Sequence, residues 1–212
     1  MKLVTFIHQD QERIGAVDDA AHIVDLERAY AGCLREAEGI PHADQLATVV
    51  LGRDMCEFLQ RGEKSLVAAQ KALTYANTKP NNGNGQIAFD RQQVRFMAPV
   101  PRPGALVSAG KNFSDHVAEM ASKKGPTAPV AFLKLPGTVI GPEDDIPHPP
   151  EVKNLDYEVE LAIVIGRTAK NVLPLPRALR RPWRPPCACR IRLVSARPRP
   201  VPECLLADVE SS

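Results

Sequence analysis

The 212-residue sequence contains no CxxC pair, no apolar run long enough to cross a bilayer and no internal repeat. Without a CxxC pair, neither a zinc ribbon nor a disulfide framework is indicated. Five cysteines are present, an odd number: Cys33 and Cys56 stand alone, while Cys187, Cys189 and Cys204 crowd the end. The missing apolar run excludes a membrane-spanning helix as a sequence expectation. The opening Met1-Lys2-Leu3-Val4-Thr5-Phe6-Ile7-His8 turns polar too soon for a secretory signal, so a cytoplasmic location is expected. What remains, 44% hydrophobic and 25% charged residues, is the composition of a globular chain long enough for one domain, or one small domain and part of another.

Charge is unevenly spread. Residues 1–172 carry 19 Lys+Arg against 22 Asp+Glu, whereas residues 173–212 carry eight Arg against three acids. The net charge of +2 therefore comes from the tail, and the main body carries no nucleic-acid footprint. That tail also lacks glycine and lysine, although the preceding residues hold 13 Gly and ten Lys, and eight of its residues are Pro. The stretch Arg177–Arg190 shows no amphipathic period, so 173–212 is expected to be a poorly ordered Pro/Arg-rich tail. Abrupt Arg/Pro/Cys enrichment is what an alternate reading frame of GC-rich coding DNA gives, and a frameshift or truncation after about Val172 is the expectation.

The first zone, 1–103, reads as a small α/β domain. Strands are expected at Lys2–Ile7, Arg13–Val17 and His22–Val24, with a turn at Asp18-Asp19. Apolar spacings of three and four predict helices over Leu26–Glu38, Ala43–Arg61 and Glu63–Ala76. Thr78–Gly85 reads as a loop, Gln86–Phe89 and Val94–Met97 as strands, and Pro99, Pro101 and Pro103 as a connector. In the second zone, 104–172, strands are expected at Ala105–Ala109, Val130–Leu135 and Tyr157–Ile165, and a short helix at Ser114–Lys124.

Three groups of residues carry possible chemistry. Alternation along a strand would set Asp156, Glu158 and Glu160 on one face, before Ala162–Ile165, which is apolar on both faces as in a buried strand. Neighbouring carboxylates repel unless one is protonated or a cation lies between them, and oxygen ligands favour a hard cation; an acidic strand end in solvent is the plainer alternative. His116 and Glu119 are three apart, so a helix would bring them together, and a carboxylate beside an imidazole makes a better base; an exposed helical pair is the alternative. Lys134, alone among apolar neighbours, could meet a substrate carboxylate or serve as a charge on an edge strand. A P-loop at Gly104–Lys111 fails, because the glycine spacing is one residue too long and Asn112 replaces the required Ser/Thr.

The order of these pieces is more specific than any one of them. Gly110-Lys-Asn-Phe-Ser-Asp-His116-Val-Ala-Glu119, then Phe132-Leu-Lys134, then Gly141-Pro142, then Asp156-Tyr-Glu158-Val-Glu160-Leu-Ala, resembles the core of the fumarylacetoacetate hydrolase family over about 106–172, and more loosely over 1–103. The resemblance implies an α+β fold, mainly β: a small N-terminal α/β domain, then an incomplete mixed β-roll or sandwich catalytic domain at 104–172. It implies Glu158 and Glu160 as metal ligands for Mg²⁺ or Mn²⁺, or Ca²⁺, His116 and Glu119 as the catalytic dyad, and Lys134 as substrate-binding. A third acidic ligand is not found in the sequence, since nothing around Asp208 matches. The implied activity is hydrolysis of C–C bonds in small oxo- or enol-acids, in a homodimer, with no nucleic-acid or membrane partner. The alternatives are decarboxylation or isomerisation of ring-cleavage dienoates, or an inactive remnant.

Overall fold

The computed structural model describes residues 1–79, 81–82, 85–110, 128, 130–157, 160–166, 168, 170, 189–192 and 207–208. The chain opens with β1 (Lys2–His8) and β2 (Gln11–Val17), which pair antiparallel in continuous register from Lys2↔Val17 to His8↔Gln11. Their turn residues Gln9 and Asp10 both have positive φ, 51° and 58°, the backbone twist that a two-residue hairpin favours. The Asp18 carboxylate then accepts the backbone N–H groups of Ala20 and His22 at 2.9 and 2.8 Å. This closes the expected turn and delivers β3 (Ile23–Asp25), which pairs with β2.

Asp25 ends β3 and caps the next element. Its carboxylate accepts the Arg28 N–H at 3.1 Å, starting α1 (Leu26–Glu36). The sequence predicts one helix over Ala43–Arg61, but two are found, α2 (Ala43–Leu51) and α3 (Met55–Arg61). Gly52, at φ +92°, ends the first, and the Asp54 carboxylate caps the second by accepting the Glu57 N–H. The apolar period runs through the break because both helices bury the same side, through Ala43, Ala47, Leu51, Met55 and Phe58. α4 (Glu63–Thr78) follows, with Ala68, Ala69, Ala72, Leu73 and Ala76 buried.

The expected loop at 78–85 contains a two-residue ladder, β4 (Asn81–Asn82) with β5 (Gly85–Gln86). The strand expected over Gln86–Phe89 is interrupted at Ile87, and only β6 (Ala88–Phe89) joins the main sheet, beside β3. The fully buried Ile87 uses its carbonyl to accept the Asp25 N–H at 2.9 Å. A short 3₁₀ turn at Arg91–Gln93 leads to β7 (Arg95–Phe96), which pairs with β1. Thr5 then donates its hydroxyl to the Pro99 carbonyl at 2.8 Å, anchoring the connector against β1.

Strand alternation divides the core. Leu3, Ile14, Ala16 and Val24 pack with the helices, while Val4, Phe6, Ile23, Phe89, Val94 and Phe96 form a second cluster. Every buried hydrophobic side chain among the described residues lies between Leu3 and Ala98.

Beyond the connector, β8 (Leu106–Gly110) and β9 (Val130–Lys134) form a separate antiparallel ladder, from Leu106↔Lys134 to Gly110↔Val130. A turn closed by the Gly141 N–H donating to Asp144 at 2.7 Å rests on the first part, with Arg91 paired to Glu143 and Arg95 paired to Asp144. β10 (Leu161–Val164) pairs with β11 (Cys189–Arg192), which pairs with β12 (Ala207–Asp208), and this pairs with β1. The sheet order is therefore β10-β11-β12-β1-β2-β3-β6, with β7 also on β1. The architecture is mixed α+β, as expected. No helix among the described residues is long and apolar enough to cross a membrane.

Candidate functional site

The β8–β9 ladder builds the describable part of the site. Cross-strand partners share a face, so Leu106, Ser108 and Gly110 lie on the same side as Lys134, Phe132 and Val130. That side is the more enclosed on β8: Ser108 is buried and Leu106 and Gly110 half-buried, while Val107 and Ala109 are exposed. Lys134, half-buried, holds its ammonium 5.8 Å from the centroid of the Phe132 ring. Phe132 is the direct partner of Ser108, and the Ser108 hydroxyl donates to the Glu160 carboxylate at 3.3 Å. Glu160, from the distant segment before β10, is thus brought to the face of the ladder that carries Lys134.

The strand expected over Tyr157–Ile165 is shorter. It spans Leu161–Val164, so Asp156, Tyr157 and Glu160 precede it and lie outside its strand. The Asp156 carboxylate instead accepts the N–H of Tyr157 at 2.8 Å. Nor is this strand buried on both faces: Leu161, Ile163 and Ile165 are 50–77% exposed, while Ala162 and Val164 pack on the helical core. One side of β10 meets the first part of the chain, and the side chains on the other are exposed, with no covering layer among the described residues. A uniformly apolar run cannot distinguish the two.

Of the residues expected at the site, Lys134 and Glu160 are described and lie on one face; His116, Glu119 and Glu158 lie outside the described residues. Ser108 is the residue that sequence reasoning missed. The available signal was its polarity inside the apolar run Ala105-Leu-Val-Ser-Ala109, at a position whose alternation with Val107 and Ala109 gives it the opposite face.

The donor chemistry suits a divalent cation. Glu160 is a half-buried carboxylate that accepts from a hydroxyl, and among the described residues no Lys, Arg or His makes an ion pair with it. An oxygen donor with no counter-charge among the described residues fits a hard ion such as Mg²⁺, Mn²⁺ or Ca²⁺. Among the described residues no group of three or more His, Cys, Asp or Glu could hold a metal, so the acidic set is not complete within them.

Residues 105–180 match the family model described as fumarylacetoacetate (FAA) hydrolase C-terminal, which carries the likeness through residues 173–180 of the Arg/Pro-rich zone. The chain is 39% identical over 122 residues to the mitochondrial oxaloacetate tautomerase Fahd2a of Rattus norvegicus, covering 58% of this chain and 36% of that protein. It is 33% identical over 175 residues to the oxaloacetate tautomerase YisK of Bacillus subtilis, covering 81% of this chain and 54% of that protein. The second match is too long for residues 104–212 alone, so it takes in much of the first part. Among solved structures, a fumarylacetoacetate hydrolase from Exiguobacterium antarcticum superposes with a TM-score of 0.51 at 26% identity, over 82% of this chain and 50% of that one. The chain thus spans about a third to a half of the length of these relatives. The family core motifs, the family-model match, the sequence relatives and the shared fold agree: residues 105–180 match the C-terminal domain of the fumarylacetoacetate hydrolase family, and the chain is similar to its relatives beyond that stretch.

Proposed function

We propose that the site performs divalent-cation-dependent enolisation of a small oxo-acid, as a keto–enol tautomerase. The observation that carries the reading is the convergence of the Glu160 carboxylate and the Lys134 side chain on one face of the β8–β9 ladder. Relatives that bear the name oxaloacetate tautomerase support the substrate class.

In this reading Glu158 and Glu160 hold the cation. A bound divalent ion supplies Lewis acidity to the oxygens of an oxo-acid and favours enolate charge. Lys134 offers an ammonium to the substrate carboxylate, and the adjoining Phe132 ring limits water around it. His116, oriented by Glu119, takes the proton from the carbon beside the oxo group, and the oxo oxygen gains one. The sum is an isomerisation, with no bond to carbon hydrolysed and no redox change. Mg²⁺, Mn²⁺ and Ca²⁺ all suit these ligands.

Hydrolysis of a C–C bond in an acylpyruvate is the second reading, favoured by the fold shared with the Exiguobacterium antarcticum hydrolase. There the same base would take its proton from water, and the hydroxide formed would attack the carbonyl. Incubation with oxaloacetate and with an acylpyruvate, each with Mg²⁺, separates the two. Faster enol–keto conversion of oxaloacetate without cleavage of the acylpyruvate supports tautomerisation. Cleavage of the acylpyruvate supports hydrolysis, and the absence of both reactions overturns the proposed activity.

A further inference from the structure

Ser108 is the single buried residue among the described residues beyond Pro99. Other apolar side chains of its ladder, among them Val107, Val130, Phe132 and Leu133, are exposed. Burying a hydroxyl costs free energy unless it is hydrogen-bonded, whereas an alanine or valine on a strand would not carry that cost. The hydroxyl is bonded, and its partner is the Glu160 carboxylate of a segment more than 50 residues away in sequence, 3.3 Å distant. Ser108 is itself fixed by its place opposite Phe132 in the ladder. A hydroxyl on a paired strand therefore holds one oxygen of Glu160, and among the described residues the other accepts no hydrogen bond.

We propose that Ser108 is a positioning residue that orients the Glu160 carboxylate for a divalent cation. The inference rests on the cation reading given above and adds to it the group that fixes the ligand's geometry. A carboxylate bonded through one oxygen loses rotational freedom about its last torsion, so less entropy is lost when the cation binds. The hydroxyl's orientation as donor also leaves its own oxygen lone pairs pointing away from the carboxylate. Ser108 then acts through Glu160 and does not touch substrate.

The test uses the full chain and Mn²⁺ alone, with affinity read by the loss of the free-ion electron paramagnetic resonance signal. Four variants are compared with wild type: Glu160→Gln, Ser108→Ala, Ser108→Val and Ser108→Thr. Threonine and valine have the same shape, so their difference isolates the hydroxyl from side-chain volume. Alanine removes the hydroxyl without adding bulk, in case valine disturbs the fold. We expect Ser108→Ala and Ser108→Val to weaken Mn²⁺ binding by about tenfold or more, the size usual for outer groups that orient a ligand. Ser108→Thr should restore it, with the unfolding midpoints of the metal-free Thr and Val chains alike. If wild type binds Mn²⁺ no better than Glu160→Gln, the cation reading fails and this inference fails with it. If wild type binds but Ser108→Val and Ser108→Ala match it, the positioning role alone is overturned.

Discussion

Arg13 and Asp25 face each other from neighbouring strands, with guanidinium and carboxylate 2.9 Å apart and the Asp25 side chain wholly removed from solvent. The same carboxylate caps α1, so one side chain ties the sheet to the first helix. Burial pushes the Asp25 carboxyl above its ordinary value of 3.8, while Arg13 and Arg28 pull it back down. Removing one member of a buried pair leaves the other charge uncompensated. Asp25→Ala is therefore expected to cost about 3–5 kcal/mol in urea unfolding. Asp25→Asn, which keeps an acceptor for the cap, should cost less. Equal losses in the two variants would show that the ion pair, and not the cap, dominates.

A pH dependence follows from Tyr75. Burial, and the Glu36 carboxylate beside it, push its phenol up from the ordinary 10.0 to about 12. The folded chain then holds a proton that the unfolded chain gives up first. This contribution to stability is complete below pH 10.0 and is lost as the pH climbs towards about 12. Denaturant midpoints across that window should fall for wild type and fall less for Tyr75→Phe. Parallel curves would contradict the assignment.

The core suggests where the chain divides. Since all described buried hydrophobic side chains lie between Leu3 and Ala98, a chain ending at Pro103 is expected to unfold cooperatively without the rest. Such a shortened chain loses β12 from the edge of β1, but it keeps β2, β3, β6 and β7. A single sharp thermal transition with near-native circular dichroism is the expected result. A broad transition with strong dye binding would show that 104–212 is needed for the first part to fold.

Lys134 gives a kinetic prediction. If its ammonium meets the substrate carboxylate, Lys134→Met should raise KM by roughly tenfold or more and change kcat less, since a charge-assisted hydrogen bond is worth about 1.5–3 kcal/mol. Loss of kcat at unchanged KM would move Lys134 from binding to the chemical step.

Legibility in the sequence followed the physics of each element. β1 and α1 were readable because alternation and the three-to-four spacing are strong there. The division of α2 from α3 was not, because the apolar stripe crosses Gly52–Asp54 unbroken and only the positive φ of Gly52 and the Asp54 cap reveal the break. The hairpin turn at Gln9-Asp10 was equally hidden, since it adopts positive φ without glycine. At the site, motif order pointed to Lys134 and Glu160 at once, but their shared face depends on a ladder register and on the Ser108 contact, which are long-range facts. The shortness of β10 was invisible for the same reason: whether Leu161–Val164 is covered on both sides depends on what packs there, not on its own residues.

The central claim, cation-dependent enolisation at a site containing Glu160, is tested most directly by deuterium incorporation. Oxaloacetate in D₂O with Mg²⁺ is followed by nuclear magnetic resonance at the carbon beside the oxo group, with wild type, Glu160→Gln and His116→Ala compared. Exchange faster than the uncatalysed rate with wild type, abolished by chelation and by Glu160→Gln, and about 10²–10⁴-fold slower with His116→Ala, is the predicted result. Exchange at the uncatalysed rate with wild type, or undiminished exchange in Glu160→Gln, would contradict it.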